Sequence, residues 1–86
     1  MDITDWRARI DAVDELLIDL LNRRLGYAAQ IGKIKRQSGQ PVRDERREQA
    51  LLSRLRAYNS GPLSDQAIED LFTRVIEEAI QLEERG

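Results

Sequence analysis

From Thr4 to Gln37 the chain contains no proline and no cluster of turn residues. Apolar side chains recur there at Trp6, Ile10, Val13, Leu17, Leu20, Tyr27, Ile31 and Ile34, in alternating steps of four and three. That spacing keeps one face of an α-helix apolar along its whole length. About 34 helical residues at 1.5 Å each span about 50 Å, whereas a compact globule made from a chain this short is only about 30 Å across. One subunit cannot cover such a stripe, but two laid against each other can. The expectation is an all-α protein with a long first helix, paired as an intertwined homodimer of six helices. Gly26 and Gly32 each weaken the helix by up to about 1 kcal/mol relative to Ala, so the expected continuity runs against a small local cost.

Two clusters, Ser38-Gly39-Gln40-Pro41 and Asn59-Ser60-Gly61-Pro62, break the rest of the chain. They divide a single domain of residues 1–86 into three helices, at about 4–37, 44–58 and 64–84, with Thr4 as the expected N-cap of the first. The second carries Leu51, Leu52 and Leu55 on one face. The third opens on Ser64, a good N-cap followed by Asp65, and carries Ile68, Leu71, Phe72, Val75, Ile76, Ala79 and Ile80. No alternating pattern predicts a strand. A domain of 86 residues buries a small share of its surface, which is a second reason to expect a partner subunit.

The chain has 14 cationic and 16 anionic side chains, a formal charge of −2, and neither histidine nor cysteine. The missing residue types exclude disulfides, thiolate-ligated zinc or iron–sulfur sites, and every catalytic triad built on His. No metal or cofactor is expected. The balanced charge argues against nucleic acid as a partner. Met1-Asp2-Ile3-Thr4-Asp5 has neither the basic region nor the apolar run of a signal peptide, and no stretch approaches a membrane span. A cytoplasmic location is therefore expected.

Each apolar stripe ends in charge. In the first helix the four-three pattern passes from Leu20 to Tyr27 through Arg24, and almost three turns further along the same face stands Lys35. Their Cα atoms are about 16 Å apart, a gap suited to a small molecule between two long cationic side chains. In the second helix the face of Leu55 and Leu51 continues backwards into Glu48, Arg47 and Asp44; in the third, Ile76 and Ala79 lead to Glu83. Simpler readings exist for each residue. Arg24 and Lys35 can snorkel or pair, Asp44 can be a helix cap, Glu48 can pair with Arg47 or Arg54, and Glu83 can lie in a solvated, frayed turn. Jointly these leave unexplained why three stripes turn ionic at ends that can meet, since buried charge is costly unless it is paired or holds something. The expected ligand is a small anion. Arg7 lies about 25 Å along the helix from Arg24, too far to join that site within one chain, but an antiparallel partner brings it there and yields two composite sites per dimer.

The residues that carry this pattern also carry a resemblance. Ile10-Asp11-Ala12-Val13-Asp14, Leu20-Leu21-Asn22-Arg23-Arg24, Gly32-Lys33-Ile34-Lys35 and Pro41-Val42-Arg43-Asp44-Glu45-Arg46-Arg47-Glu48 closely resemble the AroQ-type, all-helical chorismate mutase family, from about Trp6 to Glu84. The resemblance implies a domain-swapped homodimer of three-helix subunits that converts chorismate to prephenate on the route to phenylalanine and tyrosine. It also allows a partner enzyme of the shikimate pathway. Carried over by position, it implies that Arg7 reaches a substrate carboxylate from the partner subunit and that Arg24 binds the other carboxylate. Lys35 contacts a carboxylate and the ether oxygen, Asp44 and Glu48 receive the ring hydroxyl, and Arg47 completes the cationic lining. Ala79 stands where many members have a Ser near a carboxylate, and Glu83 where they have a Gln that donates to the ether oxygen.

The implied reaction is a pericyclic shift without nucleophile, proton abstraction, metal or cofactor, so a chain lacking His and Cys loses nothing by it. Glu83 donates a hydrogen bond only when protonated, which implies higher activity at mildly acidic pH. Two rival functions fit the same stripes. One is isochorismate pyruvate lyase, an enzyme of the same fold; the other is a non-catalytic helical dimerisation module with internal salt bridges.

Overall fold

The computed structural model describes residues 1–85 and contains three α-helices, α1 (Ile3–Ser38), α2 (Glu45–Tyr58) and α3 (Asp65–Arg85), with no strand among the described residues. α1 runs unbroken through Gly26 and Gly32. Its N-cap is Asp2, not Thr4. The Asp2 carboxylate accepts from the Asp5 amide at 3.0 Å, and the Asp5 carboxylate accepts from the Asp2 amide at 3.1 Å. This reciprocal pair satisfies two amides at once, which draws the helix start two residues ahead of the threonine. Gly39 ends α1 in the left-handed conformation at φ 73°, open to glycine at no steric cost, and the Gln40 amide donates back to the Lys35 carbonyl at 3.0 Å.

The shorter helices are capped by residues that follow the turn clusters. Asp44 caps α2, its side chain accepting from the Arg47 amide at 3.0 Å. Ser64 caps α3 by accepting from the Ala67 amide at 3.0 Å, as the sequence predicts. Between them Asn59 braces the loop, accepting from the Gly61 amide and donating to the Leu63 carbonyl.

α3 is the central element. It packs on α1 along one side and on α2 along the other, while α1 and α2 do not pack on each other. Leu51 and Leu52 of α2 form the core with Ile76 and Ile80 of α3, flanked by Val42, Leu55 and Phe72. Two ion pairs lace the same junction, Arg56 to Glu69 at 3.0 Å and Arg43 to Glu77. Leu71, which the periodicity assigns to the apolar face of α3, is exposed.

α1 outruns this core. Its buried residues are Ala28 and Gly32, both in its C-terminal half, whereas Trp6 and Leu17 remain 53% and 51% exposed. The chain extends 55 Å along its longest axis with a radius of gyration of 16.0 Å, against about 12 Å for a compact chain of this length. The apolar stripe of α1 is thus largely uncovered by its own chain. No helix among the described residues is long and apolar enough to cross a membrane.

The α2–α3 junction carries the packing energy within the chain, so Leu52→Ala is expected to cost about 2–4 kcal/mol of unfolding free energy. Tyr58→Ala, at an exposed position, is expected to cost less than about 0.5 kcal/mol. Urea titrations of both variants followed by circular dichroism check this contrast.

Candidate active site

The C-terminal half of α1, the start of α2 and the C-terminal half of α3 enclose an open cavity of about 410 Å³. Seven of the eight residues singled out in the sequence line it. Arg24 and Lys35 come from α1; Asp44, Arg47 and Glu48 from the cap and first turn of α2; Ala79 and Glu83 from α3. Arg7 is not among them. It lies on the exposed N-terminal part of α1, about 25 Å along the helix from Arg24. Tyr27, Ala28, Ile31, Leu51, Ile76 and Ile80 supply an apolar lining from which water is easily displaced.

The cations are held in two different ways. Arg24 is partly buried, and its pKa lies below the ordinary arginine value, first because burial disfavours the charge and second because Arg47 stands close by with the same sign. Neither guanidinium has an ion-pair partner among the described residues. Lys35 is tied down: its ammonium donates to the Val42 carbonyl at 2.7 Å and lies 3.4 Å from the Glu83 carboxylate. The Val42 carbonyl, in the link before α2, thereby aims Lys35 at the cavity.

Glu83 is not in a frayed turn. It is 6% exposed, and its backbone carbonyl accepts from Arg36 at 2.8 Å. Gly32 packs directly beneath it, close enough that a Cβ there would stand 3.0 Å from the Glu83 Cα. Asp44 both caps α2 and lines the cavity, so the cap does not take it away from the site. Glu48 pairs with Arg43 at 3.6 Å, rather than with Arg47 or Arg54, and Arg43 also reaches Glu77 on α3.

Sequence reasoning missed the Val42 carbonyl, Arg36, Arg43 and the packing role of Gly32. Only Gly32 left a signal, as a glycine inside a helix where Ala is favoured by about 1 kcal/mol. Two uncompensated guanidiniums and an ammonium on a partly apolar cavity are suited to a small dianion. The carboxylates of Asp44, Glu48 and Glu83 offer acceptors for a hydroxyl, or, where protonated, a donor.

Residues 6–84 match the chorismate mutase type II family. The T-protein of Haemophilus influenzae is 39% identical over 79 residues, covering 90% of this chain and 21% of that protein. The bifunctional chorismate mutase/prephenate dehydratase of Escherichia coli is 40% identical over 75 residues, covering 86% and 19%. The chain thus spans about a fifth of the length of these curated relatives. Among solved structures, a chorismate mutase of Thermus thermophilus (form II) superposes with a TM-score of 0.94 at 34% identity, covering 96% of this chain and 94% of that one. A chorismate mutase of Helicobacter pylori in complex with prephenate gives 0.88 at 32% identity, covering 96% and 90%. With the match running through all three helices and every residue of the cavity, this chain belongs to the chorismate mutase type II family.

Proposed function

We propose that this chain converts chorismate to prephenate as a chorismate mutase, within a homodimer. The observation that carries the reading is the cavity itself, where Arg24 and Arg47 stand without ion-pair partners among the described residues, on the lining shared with Lys35 and Glu83. The kinship to enzymes named chorismate mutase, one of them in complex with prephenate, supports it.

Chorismate rearranges by breaking an ether C–O bond while a C–C bond forms, with no proton transferred. The protein has two tasks: to hold a flexible dianion in its reactive diaxial shape, and to stabilise negative charge developing on the ether oxygen. In this reading Arg24 binds one carboxylate and Arg7 of the partner subunit the other, while Arg47 completes the cationic lining. Lys35, already oriented by Val42, contacts a carboxylate and the ether oxygen. Asp44 and Glu48 accept from the ring hydroxyl. Glu83 faces the ether oxygen from the other side, and Ala79 leaves that wall without the hydrogen bond a Ser would give.

The uncovered stripe of α1 supports the dimer, since a second copy is the simplest cover for a helix that exceeds its own core.

Purified protein should consume chorismate, and the product should be prephenate; salicylate and pyruvate from isochorismate would mark the lyase instead. Lys35→Ala and Arg24→Ala should each lower kcat/KM by about 10²- to 10³-fold in a folded protein, on the order of 3 kcal/mol. A loss of stability with activity intact would point to a structural module. Glu83→Gln should retain activity, because an amide can donate to the ether oxygen, whereas Glu83→Ala should lower it.

Arg7 in trans has its own check. Arg7→Ala and Arg24→Ala proteins, each inactive, are mixed, unfolded and refolded together. Half the dimers are then mixed, and one of their two sites carries neither substitution, so roughly a quarter of the wild-type activity should return. No recovery would place both arginines in one subunit's site or remove Arg7 from it.

A further inference from the structure

Glu83 stands within three residues of the end of α3 at Arg85, where helix termini fray and carbonyls lack intrahelical donors. It is nevertheless among the most buried residues of the chain. One turn of α1 holds it at three points. Arg36 donates to its backbone carbonyl at 2.8 Å, which supplies the donor the helix end cannot. Lys35 meets its carboxylate at 3.4 Å. Gly32 lies against its Cα, Cβ and Cγ, with the room a Cβ would need already taken: such an atom would stand 3.0, 3.1 and 3.1 Å from the three. The first of these is backbone and cannot swing aside, so a Cβ at position 32 requires α3 to give by a few tenths of an ångström. Gly26, on the same helix, shows no such crowding within its chain. A glycine at position 32 costs helix stability of about 1 kcal/mol, and the close approach of α3 is what it gains in return.

We infer that Gly32 and Arg36 are positioning residues of the site, which set the place of the Glu83 carboxyl by fixing its backbone from below and from its carbonyl. This rests on the mutase reading, in which Glu83 acts on the ether oxygen. Neither residue touches substrate: Gly32 has no side chain to offer, and Arg36 spends its guanidinium on the backbone behind the cavity. Misplacing a preorganised donor by about 1 Å is worth up to about 100-fold in rate, and binding of the two carboxylates through other residues should be spared.

Steady-state kinetics on folded, dimeric proteins test this. Gly32→Ala and Arg36→Ala are each expected to lower kcat by about tenfold, with KM changed less than about threefold in each. Each substitution is then repeated in a Glu83→Ala background, where both should cost less than about twofold, because the group they position is gone. A loss that persists in full in that background would mark a structural role and overturn the inference. So would wild-type kcat in either folded variant. Should Gly32→Ala fail to assemble, Arg36→Ala decides alone, since it adds no atom to the packed contact. A folded wild-type protein that leaves chorismate untouched overturns the mutase reading and this inference together; an active wild type matched by Arg36→Ala overturns this inference only.

Discussion

α1 packs on another helix of its own chain only where α3 lies against it, around Ala28 and Gly32, and the rest of the subunit is placed by that contact. α2 does not pack on α1. It is carried by α3 through Leu51, Leu52, Ile76 and Ile80, so the distance between the first turn of α2 and the cationic residues of α1 is set indirectly. The cavity is the space left between two helices that share a neighbour but not an interface. Its walls stay apart because the facing residues are charged. Apolar side chains at Arg24, Arg47 and Glu48 would gain about 25 cal/mol for each Å² they removed from water by closing the gap.

The electrostatics of the cavity run against stability. Burial and Arg47 together lower the pKa of Arg24, yet an arginine remains protonated at any physiological pH, so the cost is constant and has no titration window near neutrality. Other charges near the site are paired. Lys35 has both a carbonyl and a carboxylate, and Arg43 links Glu48 to Glu77. The contrast is informative. In the proposed reading, a fold that pairs its other near-site cations but leaves two adjacent guanidiniums without an ion-pair partner among the described residues keeps an electrostatic gain for a bound anion.

Much of this was legible in the chain because helical periodicity converts sequence spacing into direction. Arg24, Lys35, Glu48 and Glu83 interrupt apolar stripes, and a stripe interruption can be located without knowing what it faces. Partners were not legible. Glu48 pairs with Arg43, which precedes α2 and so has no helical spacing relation to it that periodicity could reveal. The Val42 carbonyl belongs to the backbone of a link and carries no residue-type signature. Leu71 has the right period and stays exposed, because periodicity assigns a face and not a neighbour. Gly32 reads in sequence as a weak point of the helix, and the spacing of residues does not say that its role is to make room for Glu83. The start of α1 at Asp2 was missed for a related reason: Thr4 is a good cap alone, and the reciprocal Asp2–Asp5 pair is better.

The length of α1 ties assembly to chemistry in the proposed reading. The part of the helix that α3 covers builds the chain's own cavity, and the exposed part bears both the apolar stripe that a second copy would bury and Arg7, which the cavity lacks. A site completed from the partner is lost when the dimer dissociates, so its activity per chain follows the dimer population by mass action. Assembly and catalysis then cannot be tuned separately through this helix. A substitution that weakens the stripe near Arg7 lowers both, while one near Gly32 disturbs the position of Glu83 with the stripe intact. The two ends of one helix thus fail in different ways, which follows from which chain covers each.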